Sequence, residues 1–298
     1  MDMKSNTIRA IYTMIIGLGF TFLCTSCSKS ESEEVTGTLS PEQEVAGLQK
    51  IDEITQGNYT FYIFKKDTGN LVVGYNDVYI QLKNNTTGQY VQDANLTWQP
   101  RMHMMDSLSH ACPYSTISKV TNTNTVYSGY FIFIMASDNV DYWEIKYNYV
   151  NGQDTLAQVA DKPTVVQPTG LVRYTSFKGS DNGFYYLAMV NPTSPVVGTN
   201  SITAYLYKYI DMYTFNPVTN YTIQIDPRMP DMVNMTSPNN LNLTYSSSSN
   251  LYAGKVNLTM TGYWKINLIV KDASGTVLKG DSITSTTTSS NIYFELEF

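Results

Sequence analysis

The chain has little of what most enzymes and nucleic-acid binders depend on: two histidines, three cysteines and 15% charged residues in a length of 298. Two His and three Cys are too few for a zinc cluster or a disulfide framework, and they leave little raw material for acid/base catalysis at neutral pH. With a formal net charge of −6 and no basic cluster beyond Lys65-Lys66, nothing can neutralise a run of phosphates, which sets nucleic acid aside as a partner. No Ser/His/Asp or Cys/His arrangement, phosphate-cradling glycine loop or carboxylate pair is legible, so the expectation is a binding protein and not an enzyme. Ala- and Leu-rich amphipathic stretches are nearly missing. What fills their place is tyrosine (24 residues), threonine, serine and asparagine, the composition of strands and turns. At 42% hydrophobic the chain can bury one or two sizeable cores, and it reads as mostly β.

Lys4 and Arg9 form a basic start, Ile11 to Leu23 an apolar stretch, and Thr25-Ser26-Cys27 follows with small residues before the cysteine. This resembles a bacterial lipoprotein signal. The resemblance implies a signal peptide over 1–26, a lipid on the Cys27 sulfur and attachment to a membrane through it. An uncleaved anchor fits less well, because the apolar stretch is shorter than the roughly 20 residues of a spanning helix. Loss of Cys24 and lipidation of Cys27 would leave Cys112 as the only thiol. Residues 27–50 open with Glu31, Glu33 and Glu34 and show no periodicity, as expected of a flexible acidic tether. Acidic residues behind a lipidated cysteine also resemble the signal by which Bacteroidetes place lipoproteins on the outer face of the outer membrane. A solvated linker is the alternative. The expected location is therefore the outer membrane, on its periplasmic or cell-surface side.

The rest of the chain repeats itself. Val72-Val73-Gly74-Tyr75-Asn76 matches Val196-Val197-Gly198-Thr199-Asn200, and Pro100-Arg101-Met102 matches Pro227-Arg228-Met229. Met105 then aligns with Met232, Pro113 with Pro238, Tyr127-Ser128-Gly129 with Tyr252-Ala253-Gly254, Met135 with Met260 and Tyr142-Trp143 with Tyr263-Trp264. Two copies over 51–165 and 166–298 explain this order. Each holds several runs of period two between turn signals, so the expected fold is all-β, two tandem immunoglobulin-like β-sandwich domains behind the tether. Trp143 and Trp264 read as core residues.

Six methionines lie in two repeat-equivalent windows. The first, 100–113, holds Met102, His103, Met104, Met105, His110 and Cys112; the second, 227–238, holds Met229, Met232 and Met235. Proline and aspartate mark both windows as loops, where a thioether is not needed for packing. Thioether, thiolate and imidazole form a soft ligand set that suits Cu(I). Counting back from the shared proline sets His110 opposite Met235, giving the trios Met102, Met105, His110 and Met229, Met232, Met235. His103 and Cys112 are further candidate ligands in the first window. Met135 and Met260, each a few residues before a core tryptophan, read as strand-interior core residues, with approach to the same end of the sandwich as the alternative, and Arg101 and Arg228 read as structural salt bridges. The competing reading of every methionine is adaptable filler under a loop.

The second window, with Tyr252-Ala253-Gly254-Lys255-Val256-Asn257-Leu258-Thr259-Met260-Thr261-Gly262-Tyr263-Trp264, resembles the YtkA-like and FixH-like domains of bacterial envelope proteins. The resemblance covers about the last half of each copy. It implies a small extracytoplasmic β-sandwich with a Met-rich loop, a Gly-x-Trp strand and a part in copper handling. Where the family pattern leads one to expect histidine, two residues after the second methionine, this chain has Ser107 and Asn234, so the second window keeps thioethers alone. A copper transporter or an outer-membrane receptor would be the partner. Two rivals stand beside this reading: a surface glycan-binding accessory lipoprotein, with Trp98 as its free tryptophan, and a structural envelope module that binds proteins through strand edges.

Overall fold

Alternation of period two builds nearly every element. In the strand Gly74–Asn84, Val78, Ile80 and Leu82 are fully buried on one face while Asp77, Tyr79 and Lys83 stay partly exposed on the other. The computed structural model describes residues 39–151 and 154–298, and within it Leu39–Phe298 form one compact unit. The expected signal peptide, Cys27 and the acidic residues behind it lie outside the described residues, as does Gly152 of Asn151-Gly152, a pair that reads in the sequence as a hairpin turn.

The fold is all-β, with two hydrophobic cores in sequence order. Around the first, a five-stranded sheet runs Gln49–Gln56, Tyr59–Lys65, Gly74–Asn84, Val126–Phe133, Ser118–Lys119. A four-stranded sheet runs Asp154–Asp161, Tyr142–Asn151, Asn95–His103, Ser109–His110. Phe61, Ile63, Val78, Ile80 and Phe131 from one meet Trp98, Met102, Trp143, Ile145 and Tyr147 from the other. Around the second, residues 174–296 form one hydrogen-bonded network in which Leu241–Ser246 pairs with both Leu251–Leu258 and Thr222–Met229, so the sheet folds over its own core. Trp143 and Trp264 are both fully buried.

The same small devices recur around both cores. The Asn76 side chain accepts from Val72 N and donates to the Val72 and Gly74 carbonyls. Asn200 does the same with Val196 N and the Val196 and Gly198 carbonyls. Each clamp needs a glycine, because Gly74 and Gly198 sit at φ +104° and +109°, where a Cβ is strained. The Tyr127 hydroxyl takes Ala94 N as the Tyr252 hydroxyl takes Tyr221 N.

Between the cores lies a tyrosine seam: Tyr130 stacks on Tyr205 at 4.3 Å between centroids and shares a 2.7 Å hydroxyl bond with Tyr207, around buried Ile132 and Ala188. Residues 39–50, expected in the tether, are instead built into the compact unit. Ser40 closes a capping box on the turn Pro41–Glu44, whose Glu44 carboxylate accepts from the Asn124 and Thr125 amides. Gln49 already begins the first strand.

Candidate functional site

The two methionine windows are not wholly loops. Met102 belongs to the strand Asn95–His103 and Met229 to Thr222–Met229, where the alternation that buries Pro100 and Pro227 buries them too, at 0% and 5% exposure. Only 104–108 and 230–234 turn between strands, and Ser107 and Asn234 hold positive φ there, 66° and 57°. Ser107, two residues after Met105, and Asn234, two residues after Met232, thus occupy equivalent turn positions.

Strand register places the soft residues in rows. Met102 stands directly opposite His110 on one side and Trp143 on the other. Met229 stands opposite Met235, and the pair Arg228 with Lys265 carries the register on to Trp264 beside Met229. Residues directly opposite in a sheet share a face, so each row presents two soft side chains and an indole together. A third donor comes from outside the windows. The Trp143 Nε1–H donates to the Met135 carbonyl and the Trp264 Nε1–H to the Met260 carbonyl, both at 3.0 Å, so each buried indole anchors one methionine. The strand-interior position expected from sequence is not found for either: both lie in the bends after Val126–Phe133 and Leu251–Leu258. The pairing of Met135 with Met260 was the available signal.

In the first half this brings a donor pair into contact. His110 Nδ1 lies 2.7 Å from the Ala111 carbonyl, and Nε2 lies 3.1 Å from the Met135 sulfur. Carbonyl and thioether both only accept, so the neutral ring donates to one of them, and in the tautomer with the proton on Nδ1 the Nε2 lone pair is left beside the thioether. The ring stands edge-on to Trp143, 5.4 Å away. Here His110, Met102 and Met135 gather; Met105 does not, being 80% exposed at the loop tip with its amide on Asp141. His103 turns to Tyr142, on which it stacks, and to Glu144 3.7 Å away. Cys112 is fully buried in the core, and burial pushes its thiol well up, which withholds the thiolate a metal would need. In the second half Met229 and Met235 pair, while Met260 and Met232 are exposed at 37% and 49%. Among the described residues no three His, Cys, Asp or Glu groups converge, so a soft centre must rest on thioethers with one imidazole.

The first site leans on the second half. Ala111 N donates to the Met212 carbonyl at 2.7 Å, Ser109 shares a 2.8 Å hydroxyl bond with Tyr213, and the Arg101 guanidinium lies 4.0 Å over the Tyr213 ring. Arg101 thus makes a cation–π contact where a salt bridge was expected; Arg228 does pair with Asp226, at 2.8 and 2.9 Å. Trp98, the candidate stacking platform, is 5% exposed and bonds the Ser115 carbonyl, which removes it from the surface. Among the described residues no helix is long and apolar enough to cross a membrane.

Residues 184–268 match the YtkA-like family model. This stretch contains the whole second methionine window, Met260 and Trp264. No curated protein matches the chain. Among solved structures, a DUF4785 family protein from Legionella pneumophila is similar at 13% identity and a TM-score of 0.26 over 74% of this chain. The chain spans 55% of that protein's length.

Proposed function

We propose that the chain is a lipid-anchored accessory protein of the cell envelope that binds and relays Cu(I), a carrier and not a catalyst. The observation that carries this reading is the His110–Met135 contact: in the tautomer that donates Nδ1–H to the Ala111 carbonyl, Nε2 and the thioether sulfur both keep lone pairs for a metal. Imidazole and thioether are soft donors, and their chemistry fits Cu(I) better than a hard ion. Met102 completes one set, and Met229, Met235 and Met260 supply the other. The YtkA-like match over 184–268 supports an envelope role. The lipid on Cys27, the outer membrane as location, and a transporter or outer-membrane receptor as the receiving partner belong to the same proposal.

A Cu(I) competition titration against a chromophoric chelator tests it, on the purified chain and on His110→Ala/Met135→Ala, Met229→Ala/Met235→Ala and Met105→Ala. Binding that the two double variants each reduce, and that Met105→Ala leaves unchanged, is the expected result. No binding in the wild type, or binding indifferent to all three, would make these methionines packing residues.

A further inference from the structure

A cleft where the two halves meet is not used by the copper reading. Its walls come from 65–77 of the first half and 173–193 of the second, and it holds about 360 Å³, within the size range of small-molecule sites. Strand alternation builds the first wall. Phe61 and Ile63 are fully buried, and Lys65, two residues further on the same face, is carried inward behind them and left 8% exposed. Its ammonium donates to the Asn70 carbonyl at 2.8 Å, and its other two N–H groups have no protein partner among the described residues. The second half supplies Arg173, just before the strand Tyr174–Lys178. Its Nη1 donates to the Pro192 carbonyl at 2.8 Å and its Nη2 to the Val190 carbonyl at 3.0 Å. These two bonds fix the guanidinium and leave three of its five N–H groups without a protein partner among the described residues.

The acids of the cleft do not answer these two cations. Asp77 pairs with Lys66 at 3.8 Å and accepts from the Tyr75 hydroxyl, while Asp67 is exposed on the turn that follows Lys65-Lys66. Neither Lys65 nor Arg173 makes an ion pair among the described residues. Burial pushes both of them down, and the Asp67 charge opposes it only in part. A cation taken out of water without an ion pair is costly, because carbonyl oxygens satisfy its hydrogen bonds and leave its charge unmatched. Three cations thus line the cleft with two acids, one of them in solvent, so the site is one negative charge short. The remaining rim is neutral and polar, with Thr68, Asn70, Asn191 and Thr193 offering hydroxyls and amides.

We infer that this cleft binds a small monoanionic hydroxy-carboxylate of the sugar-acid class, its carboxylate on Arg173 and Lys65 and its hydroxyls on the polar rim. A fixed guanidinium with N–H groups to spare matches a carboxylate fork to fork, and the Lys65 ammonium adds a second charge from the other half. One charge is what the cleft lacks, which favours a carboxylate over a dianionic phosphate. Bound there, the ligand touches both halves of the compact unit and ties them together. The cleft shares no residue with the His110–Met135 centre, so the site stands or falls apart from the copper reading.

Isothermal titration calorimetry on the full chain in detergent, at low salt and neutral pH, tests the inference with D-glucuronate, D-glucose and inorganic phosphate as probes. D-glucuronate should bind saturably, D-glucose, the same body without the carboxylate, should not, and phosphate should compete only weakly. Arg173→Lys should weaken glucuronate binding about tenfold, since a fork becomes a point charge. Lys65→Met should weaken it as well, while the unliganded variant stays at least as stable as wild type in thermal unfolding, because an unpaired buried charge is gone. Asp67→Asn should tighten binding about two- to threefold, an effect that fades as salt rises, because it deletes the acid that competes for both cations. Lys50→Gln, outside this cleft, should change nothing. Absent glucuronate binding in the wild type, equal binding of D-glucose, tighter binding of phosphate, or an affinity indifferent to Arg173→Lys and Asp67→Asn would overturn the site. Should Arg173→Lys fail to fold, Lys65→Met and Asp67→Asn carry the same comparison.

Discussion

The two halves hold their soft donors with the same scaffold and differ in the donors themselves. Around both cores a buried tryptophan anchors a methionine carbonyl at 3.0 Å, and a methionine at the strand end faces a soft residue across the register. In the first half that facing residue is His110; in the second it is Met235. The first row is also braced from outside by the 211–213 turn, through Ala111, Ser109 and Arg101, while in the second Met260 and Met232 stand partly in solvent. One scaffold thus serves a braced site with an imidazole and an open site of thioethers. A proton competes with a metal for imidazole and not for a thioether, so the two sites should separate with pH.

The scaffold itself is the first thing to break. Trp143→Ala and Trp264→Ala should each cost about 3–5 kcal/mol in denaturant unfolding, since each empties a core and frees one methionine bend. A large loss in one half with a small loss in the other would end the equivalence. Next come the asparagine clamps: Asn76→Ala and Asn200→Ala each strand three backbone partners and should cost about 1–3 kcal/mol by the same measurement. His110→Met sharpens the difference in donors, because it should remove the pH dependence of Cu(I) uptake while the fold, checked by circular dichroism, stays intact. The smallest effect belongs to the brace. Tyr213→Ala removes the Arg101 contact and the Ser109 bond and should cost about 0.5–1.5 kcal/mol, with Cu(I) affinity falling at the first site and holding at the second.

Much of this was legible in the chain. The repeat announced the paired asparagines, tryptophans and methionines, and alternation marks the runs Tyr59 to Phe64, Val78 to Leu82 and Trp264 to Val270, which lie within the strands Tyr59–Lys65, Gly74–Asn84 and Trp264–Lys271, because all of these depend on local spacing. The alignment of His110 with Met235 has its counterpart in the cross-strand register. What escaped was whatever long-range contact decides. Met135 joins His110 through the Trp143 indole, and no local pattern marks that. Tyr213 reaches Arg101 across more than a hundred residues of chain. Cys112 sat among soft ligands in sequence and yet faces the core. Asp52 is the sharpest case: read by strict alternation it belongs outside, and the bulge at Ile51 alone turns it in.

Copper K-edge absorption, on the chain loaded with about one equivalent of Cu(I), tests the central claim most directly, since it counts nitrogen and sulfur neighbours. The wild type should show Cu–N scattering beside Cu–S, and His110→Met should show Cu–S alone. A spectrum with no sulfur, or one that His110→Met leaves unchanged, would contradict a copper site built on His110 and Met135.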